Sequence, residues 1–378
     1  MDDRMRALRL HSQRPVTHTT IVLFGGPSDE RHVSVASAQA IVRVLPNAFA
    51  WYWAPEGAVY DVNPKDLLSH QRPFELDFLP ARPAIFPNLE QALDTMPVDN
   101  PVLLLALHGT GGEDGPLQEM LEKRGIPFTG SGSVASAAAF DKEQAKEMVK
   151  GHVRLAESRV ARTAAEVRPM IEEMLSRHER LVLKPLAAGS SRGLFFLGRN
   201  DDAEDVAEKV VARGIPYIIE QFVQGRELTC GVIDSGDGPA ALPVIEIEVD
   251  PNRTFDYEGK YLGAGTREIC PADIPEAMAA EAQETSVAAH IALGCEGYSR
   301  SDLIAAEDGI YYLETNTLPG LTASSLVPQE LKVVGIEFRE FLERQVELAL
   351  ERAQRVPASP KVASNQQPGT SNILTGSA

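Results

Sequence analysis

Cysteine is scarce in this chain. Three among 378 residues, Cys230, Cys270 and Cys295, lie far apart and without CxxC spacing. A dispersed, odd set excludes a disulfide framework and a zinc-ligand pattern, and reads as buried reduced thiols in a cytoplasmic protein. Long apolar runs are missing too. Val102–Leu107 is about the longest, well short of the roughly 20 residues that cross a bilayer. The basic stretch at residues 1–20 holds no apolar core of signal-peptide length. Positive charge is in deficit, with 36 Lys and Arg against 54 Asp and Glu and a net charge of −18. Nucleic acid and anionic membranes are therefore poor partners, because both are bound through basic patches. An anionic small substrate would need locally gathered Lys and Arg instead. What is present, 43% hydrophobic and 24% charged residues, suits a globular chain of two or three domains with ample core.

Along the chain, Thr20–Phe24 reads as a short buried strand, followed by Gly25-Gly26-Pro27-Ser28-Asp29-Glu30 and a helix through Ala36–Val44. Strand, glycine turn and helix make the first unit of an open α/β domain, with backbone amides suited to an anion. Glu30 at the helix start serves either the helix dipole or function. Trp51–Ala58 and Val59–Asp61 suggest a strand pair, and Val102–Leu107 is the next buried strand. It delivers His108-Gly109-Thr110-Gly111-Gly112-Glu113-Asp114-Gly115 at its C-terminal end, the edge where open α/β sheets gather ligands. His108 taken alone is more often a structural histidine. Ser133–Val149 reads as one helix with Asp141-Lys142 midway, and Glu330–Arg355 as a closing amphipathic helix.

A strand, Leu181–Lys184, carries its lysine into the small-residue loop Ala187–Gly193. Glycine and serine let backbone N–H groups approach phosphate oxygens, and such a loop can fold down as a lid. Ile218–Val223 is a strand running into a connector, where Glu220, Gln221 and Val223 can present an adenine-reading edge. Glu227 follows as a candidate acceptor for ribose hydroxyls. In this company Lys184 is a candidate phosphate ligand.

Two apolar-rich runs, Ser299–Ala306 and Ile310–Asn316, flank Glu307-Asp308-Gly309. They predict a β-hairpin with a three-residue loop and glycine at its left-handed position. Centring the loop on Asp308 sets Asp302 opposite Glu314 and Arg300 opposite Asn316, all on one face. Facing carboxylates repel unless a cation lies between them. Hard divalent ions take oxygen ligands, so Asp302, Glu314 and Asn316 are candidate ligands of Mg²⁺ or Mn²⁺, with Arg300 beside them. A solvated hairpin face is the plainer alternative that these residues leave open.

Asp302 with Glu314-Thr315-Asn316-Thr317-Leu318-Pro319-Gly320 resembles the magnesium strand pair and ExNTxPG signature of the D-alanine–D-alanine ligases, within the ATP-grasp superfamily. GGxSxERxVS around Glu30 and HGTxGEDG from His108 are similar to the same family, and the matches run in order from about Ile21 to Leu350. The resemblance implies an α/β, ATP-grasp fold of three α/β domains with ATP between the central and C-terminal ones. The expected division is an extension at 1–18, an N-terminal domain at 19–130, a central domain at 131–222, a C-terminal domain at 223–355 and a disordered tail at 356–378. It implies that Glu30 holds the first substrate's ammonium, that Ser190 and Tyr261 tie the lid and substrate loops over it, and that His108 lies at the substrate. Lys142, Lys184 and Ser191 would bind the ATP phosphates. Arg300 and the Gly320 N–H would stabilise an oxyanion, and Ser325 and Leu326 would hold the second substrate.

The implied reaction is ATP-dependent joining of two D-alanines through an acyl phosphate, for peptidoglycan precursors. The partners would be ATP and D-amino acids, without nucleic acid or membrane, in a cytoplasmic enzyme for which a homodimer is allowed. Retention of Tyr261 favours an amine nucleophile over D-lactate. The lid reads AAGSSRG, with Ala188 and Arg192 where relatives commonly have an acidic or larger residue and an apolar one. The alternatives are an ATP-grasp ligase for other amino acids and a nucleotide-binding regulator that has lost catalysis.

Overall fold

Short apolar runs ending in glycine or polar turns become the strands of three sheets. The computed structural model describes residues 18–187, 193–236, 238–249 and 266–355. The first sheet is built from β1 (Thr19–Gly25), β2 (Phe49–Trp53), β3 (Val59–Val62) and β4 (Pro101–Leu105), with helices α1 (Arg31–Val44), α2 (Pro64–Ser69), α3 (Leu89–Asp94) and α4 (Pro116–Arg124). Its order is β3-β2-β1-β4. β1 runs parallel to both β2 and β4. The turn after β1 and the turn after β4 therefore leave the sheet at the same edge, which brings Glu30 and the 108–115 loop together.

Next come α5 (Ser133–Phe140), α6 (Lys142–Val149), β5 (Arg154–Leu155), β6 (Ser158–Ala161), α7 (Ala164–Arg177), β7 (Arg180–Pro185), β8 (Phe195–Gly198), α8 (Ala203–Val211) and β9 (Tyr217–Gln221). The second sheet is antiparallel, ordered β6-β9-β7-β8. It shares a core of its own with α7 and α8, centred on Ile171, Met174, Leu181, Leu183 and Ile219. The single helix expected over Ser133–Val149 is two. Asp141 takes an extended conformation (φ −90°, ψ 111°), and its carboxylate accepts from the N–H groups of Glu143 and Gln144. A capped helix start is worth about 1 kcal/mol, and it sets Lys142 in the first turn of α6.

The remaining elements are β10 (Arg226–Asp234), β11 (Pro239–Ala241), β12 (Ile245–Val249), β13 (Thr266–Ile269), α9 (Glu276–Leu293), β14 (Tyr298–Ala306), β15 (Gly309–Asn316), α10 (Leu326–Val334) and α11 (Phe338–Arg355). The third sheet runs β13-β12-β10-β14-β15-β5, with β11 also on β10. α5 and α6 pack here, since Ala139, Ala145 and Val149 join the core of Leu228, Leu303, Tyr312 and α9. The closing helix expected over Glu330–Arg355 is broken at Gly335, which ends α10 in the left-handed conformation (φ 75°). That break lets α10 and α11 turn their apolar faces into the first unit. Leu318, Leu321, Val327, Leu331 and Phe341 share one core with the strands of the first sheet.

Candidate active site

A buried lysine and a half-buried one, from different units, meet one carboxylate. Glu220 on β9 lies opposite Val182 on β7, so its side chain shares a face with Lys184. The Lys184 Nζ is 2.5 Å from Glu220 Oε2, and Lys146 on α6 pairs with the other carboxylate oxygen. Burial alone would raise the Glu220 pKa, but the two ammonium groups more than reverse this and hold it at about 2. Burial would likewise lower the Lys184 pKa, yet Glu220, then Glu314 and Glu227, leave it raised. Lys142 is also buried, and its Nζ lies 3.3 Å from Glu314 Oε2. Three cations thus converge where the second and third sheets meet. Such a concentration within a chain of net charge −18 suits a polyanion.

Sequence reasoning does not find Lys146. Its signal is helical spacing: Lys142, Ala145, Lys146 and Val149 form the buried face of α6. Gln221 and Val223 sit where β9 runs out towards β10, although the Gln221 N–H donates to Glu157 O. Glu227 lies on β10, opposite Ile304 of β14.

The hairpin β14–β15 sets Asp302 opposite Glu314 and Arg300 opposite Asn316, the pairing expected. The loop differs. Ala306 pairs with Gly309, so the connection is two residues, Glu307-Asp308, with Gly309 at φ 132°. Leu313 is an extra residue in β15, and this bulge between the Asp302 and Leu303 pairings shifts the register back by one. The mutual repulsion expected of the two carboxylates is absent because each has its own cation. Arg300 donates from Nε to Asp302 Oδ1 at 2.9 Å and from Nη2 to Oδ2 at 3.0 Å, and Lys142 faces Glu314. Thr229 on β10 donates a further hydrogen bond to Asp302 Oδ1 at 2.8 Å. Asn316 Nδ2 lies 3.5 Å from Asp302 Oδ2.

At the edge of the first sheet, the Gly25-Gly26 amides are used internally. Gly25 N–H donates to Ser34 Oγ at 2.7 Å and Gly26 N–H to Trp53 O at 2.7 Å. The anion cradle expected at this turn is not formed. Glu30 is buried at the start of α1, against the Cα of Gly109, where a Cβ would fall 2.6 Å from Glu30 Oε2. Gly109 also holds φ 68°, a conformation that favours glycine. His108 is buried and engaged at both ring nitrogens. Nδ1 is 3.0 Å from Leu318 O and Nε2 is 3.1 Å from Ser37 Oγ. A carbonyl must be met by a donor, so the proton sits on Nδ1 and Nε2 accepts from the Ser37 hydroxyl. Burial pushes the His108 pKa down to about 4, which keeps the ring neutral.

Gly320 lies in the turn after β15, close to Ser325, the residue before α10. The Ser325 hydroxyl is bonded to Thr322 Oγ1 at 2.7 Å and accepts from Thr322 N–H at 3.1 Å. Leu326 is buried against Ile245 and Ile247. The structure thus gathers Lys142, Lys184, Glu220, Asp302, Glu314, Asn316 and Arg300 around the junction of the second and third sheets. At the junction of the first and third, Glu30 lies against Gly109 and His108 holds Leu318, two residues before Gly320. Ser190, Ser191, Arg192 and Tyr261 lie outside the described residues. The three cysteines are free; Cys230 and Cys295 are buried and Cys270 half-buried. No helix among the described residues is long and apolar enough to cross a membrane.

A mixed α/β sheet, then an antiparallel sheet and a largely antiparallel one with lysines gathered between them, has the form of an ATP-grasp enzyme. Residues 19–131 match the family model for the D-ala D-ala ligase N-terminus and residues 151–347 that for its C-terminus. The D-alanine–D-alanine ligase of Syntrophobacter fumaroxidans is 37% identical over 336 residues, 88% of this chain and 98% of that protein. That of Desulfotalea psychrophila is 36% identical over 358 residues, 91% and 99% of the two chains. Among solved structures, the VanG D-Ala:D-Ser ligase of Enterococcus faecalis superposes with a TM-score of 0.72 at 28% identity, covering 88% of this chain and 100% of that one. The D-alanine–D-alanine ligase of Bacillus anthracis gives a TM-score of 0.67 at 26% identity, covering 90% and 99%. The chain belongs to the D-alanine–D-alanine ligase family of ATP-dependent ligases.

Proposed function

We propose that this enzyme joins two D-alanine molecules into D-alanyl-D-alanine with conversion of ATP to ADP and phosphate, as a cytoplasmic supplier of peptidoglycan precursors. A homodimer is an allowed assembly. The observation that carries the chemistry is the gathering of Lys142, Lys146 and Lys184 beside the Asp302–Glu314 pair. Fixed cations stabilise charge on a transferring phosphoryl group without a protein nucleophile. Lys142 and Lys184 engage the phosphates, exchanging Glu314 and Glu220 for phosphate oxygens, while Lys146 stays with Glu220 and keeps that carboxylate neutralised. The backbone around Glu220, Gln221 and Val223 reads adenine, Glu227 meets the ribose, and Ser191 belongs to the phosphate loop.

The donor set Asp302, Glu314 and Asn316 fits a hard divalent cation: all three offer oxygen from facing strand positions. Among the described residues no group of three His, Cys, Asp or Glu side chains is placed to hold a metal, so beyond the two carboxylates the ion would draw on the Asn316 amide oxygen, water and phosphate. Mg²⁺ or Mn²⁺ held there would neutralise phosphate charge beside the lysines. Arg300, which grips Asp302 here, stands next to the Gly320 turn and stabilises the oxyanion with the Gly320 N–H. Glu30 holds the ammonium of the first D-alanine, with Ser190 and Tyr261 closing over it. Ser325 and Leu326 help hold the second, whereas His108, expected at the substrate but buried and engaged at both ring nitrogens, acts behind the site through Leu318.

The test is phosphate release from Mg-ATP across D- and L-amino acids, D-serine and D-lactate, with products separated. D-Alanine should give the dipeptide and D-lactate little product. Strict use of an L-amino acid, or mainly depsipeptide at neutral pH, would overturn the proposal.

A further inference from the structure

Glu113 joins the 108–113 loop to the turn after β15. Its Oε2 accepts from Gly109 N–H at 2.6 Å, and its Oε1 accepts from Leu318 N–H at 3.1 Å. His108, from the same loop, donates Nδ1–H to the carbonyl of the same Leu318 at 3.0 Å. Both peptide groups of Leu318 are thus held by side chains of the 108–113 loop. Three residues on, Leu321 N–H donates to Ser37 Oγ at 3.3 Å, and the Ser37 hydroxyl in turn donates to His108 Nε2. The side chains of Leu318 and Leu321 are both buried in the shared core.

The consequence lies between them. Pro319 has no N–H, and the N–H groups of Leu318 and Leu321 are taken. Gly320 N–H alone in this turn has no hydrogen-bond partner among the described residues. A backbone donor contributes to catalysis only if it is already aimed at the developing negative charge. We propose that Glu113 is a positioning residue for the ligation step, acting with His108 to lock the Leu318–Leu321 turn so that the Gly320 N–H is fixed towards the reacting carbonyl. The inference rests on the role given above to Gly320. The same clamp sets the loop that borders Glu30, so the binding place of the first amino acid and the donor for its carbonyl become one rigid body.

Steady-state kinetics of Glu113→Gln and of two His108 variants test this. The Gln amide keeps the shape but turns a donor against one of the two N–H groups. An expected result is a fall in kcat of about 10- to 100-fold, as for an ångström-scale misplacement of a catalytic group, with the KM for ATP unchanged. His108→Asn places an amide nitrogen where Nδ1 stood and should keep several-fold more activity than His108→Gln, which mimics Nε2. Three outcomes overturn the clamp: Glu113→Gln within twofold of wild type, kcat falling together with ATP affinity, or equal activity in the two His108 variants. All kinetics use the acceptor pair that the unmodified enzyme accepts. Failure of D-alanine in wild type therefore counts against the proposed function alone, while the ratio of variant to wild type still judges the clamp.

Discussion

Replacing Glu220 by Gln removes the carboxylate that Lys146 and Lys184 both touch. The group is 3% exposed, and the lysine side chains are 10% and 15% exposed, so water cannot take over its work. Removing one partner of a buried ion pair costs about 3–5 kcal/mol, chiefly because the remaining charge is left uncompensated. Here two ammonium groups are left facing each other, which puts Glu220→Gln at the upper part of that range. Lys146→Met is milder, because Glu220 keeps Lys184 at 2.5 Å. Its cost should be about 1–3 kcal/mol, that of a lost charge-assisted hydrogen bond. Urea unfolding of the three proteins gives the order directly. The acid limb adds a sign. A carboxylate held at about 2 against its ordinary 4.5 contributes stability above pH 4.5 and loses it as pH falls towards 2. The gap between wild type and Glu220→Gln should therefore shrink between about pH 5 and pH 2. A Lys146→Met cost equal to or above that of Glu220→Gln, or a gap that widens in acid, would refute the shared-carboxylate reasoning.

Asp302→Asn should abolish turnover at saturating Mg²⁺ and also lower stability, by about 1–3 kcal/mol, since Arg300 loses its two-pronged acceptor; urea unfolding beside an ADP assay checks both. Asp141→Ala should cost about 1 kcal/mol and raise the KM for ATP, because the cap that positions Lys142 is gone; unchanged ATP affinity would detach the helix break from the site. Loss of water around the carboxyl, with the Glu30 charge next, pushes Glu113 up to about 8 against the backbone donors Gly109 and Leu318 and the more distant Arg300. Tyr298 and His108 are the other titratable groups near it. A raised carboxyl favours folding fully below pH 4.5 and loses that contribution as pH rises through about 8. Glu113→Gln should flatten the decline in stability over this window, read from urea unfolding at a series of pH values.

The amino-acid order by itself determined the parts whose physics is local. Apolar runs closed by glycine made β1 and β4 legible, and two strands separated by a short polar turn made the hairpin of β14 and β15 legible. The lysine strand, the acid-rich turn after β4 and the Glu314–Gly320 signature marked the chemistry. Other features depend on partners distant in sequence, and only the tertiary structure decided them. The correct hairpin pairing arises from a two-residue loop and a bulge at Leu313, two departures that cancel and that only the pairing of whole strands can fix. The break at Asp141 competes with strong helix propensity on both sides, and the cap wins because α5 and α6 must follow the surface of the third sheet. Arg300 and Lys142 neutralise the facing carboxylates, a fact of side-chain direction that spacing does not contain. Likewise, the hold of Glu113 and His108 on Leu318 spans more than 200 residues of chain. It exists because the turn after β15 buries Leu318 and Leu321 in the core of the first sheet, where hydrophobic burial selects neighbours by shape and area rather than by sequence distance.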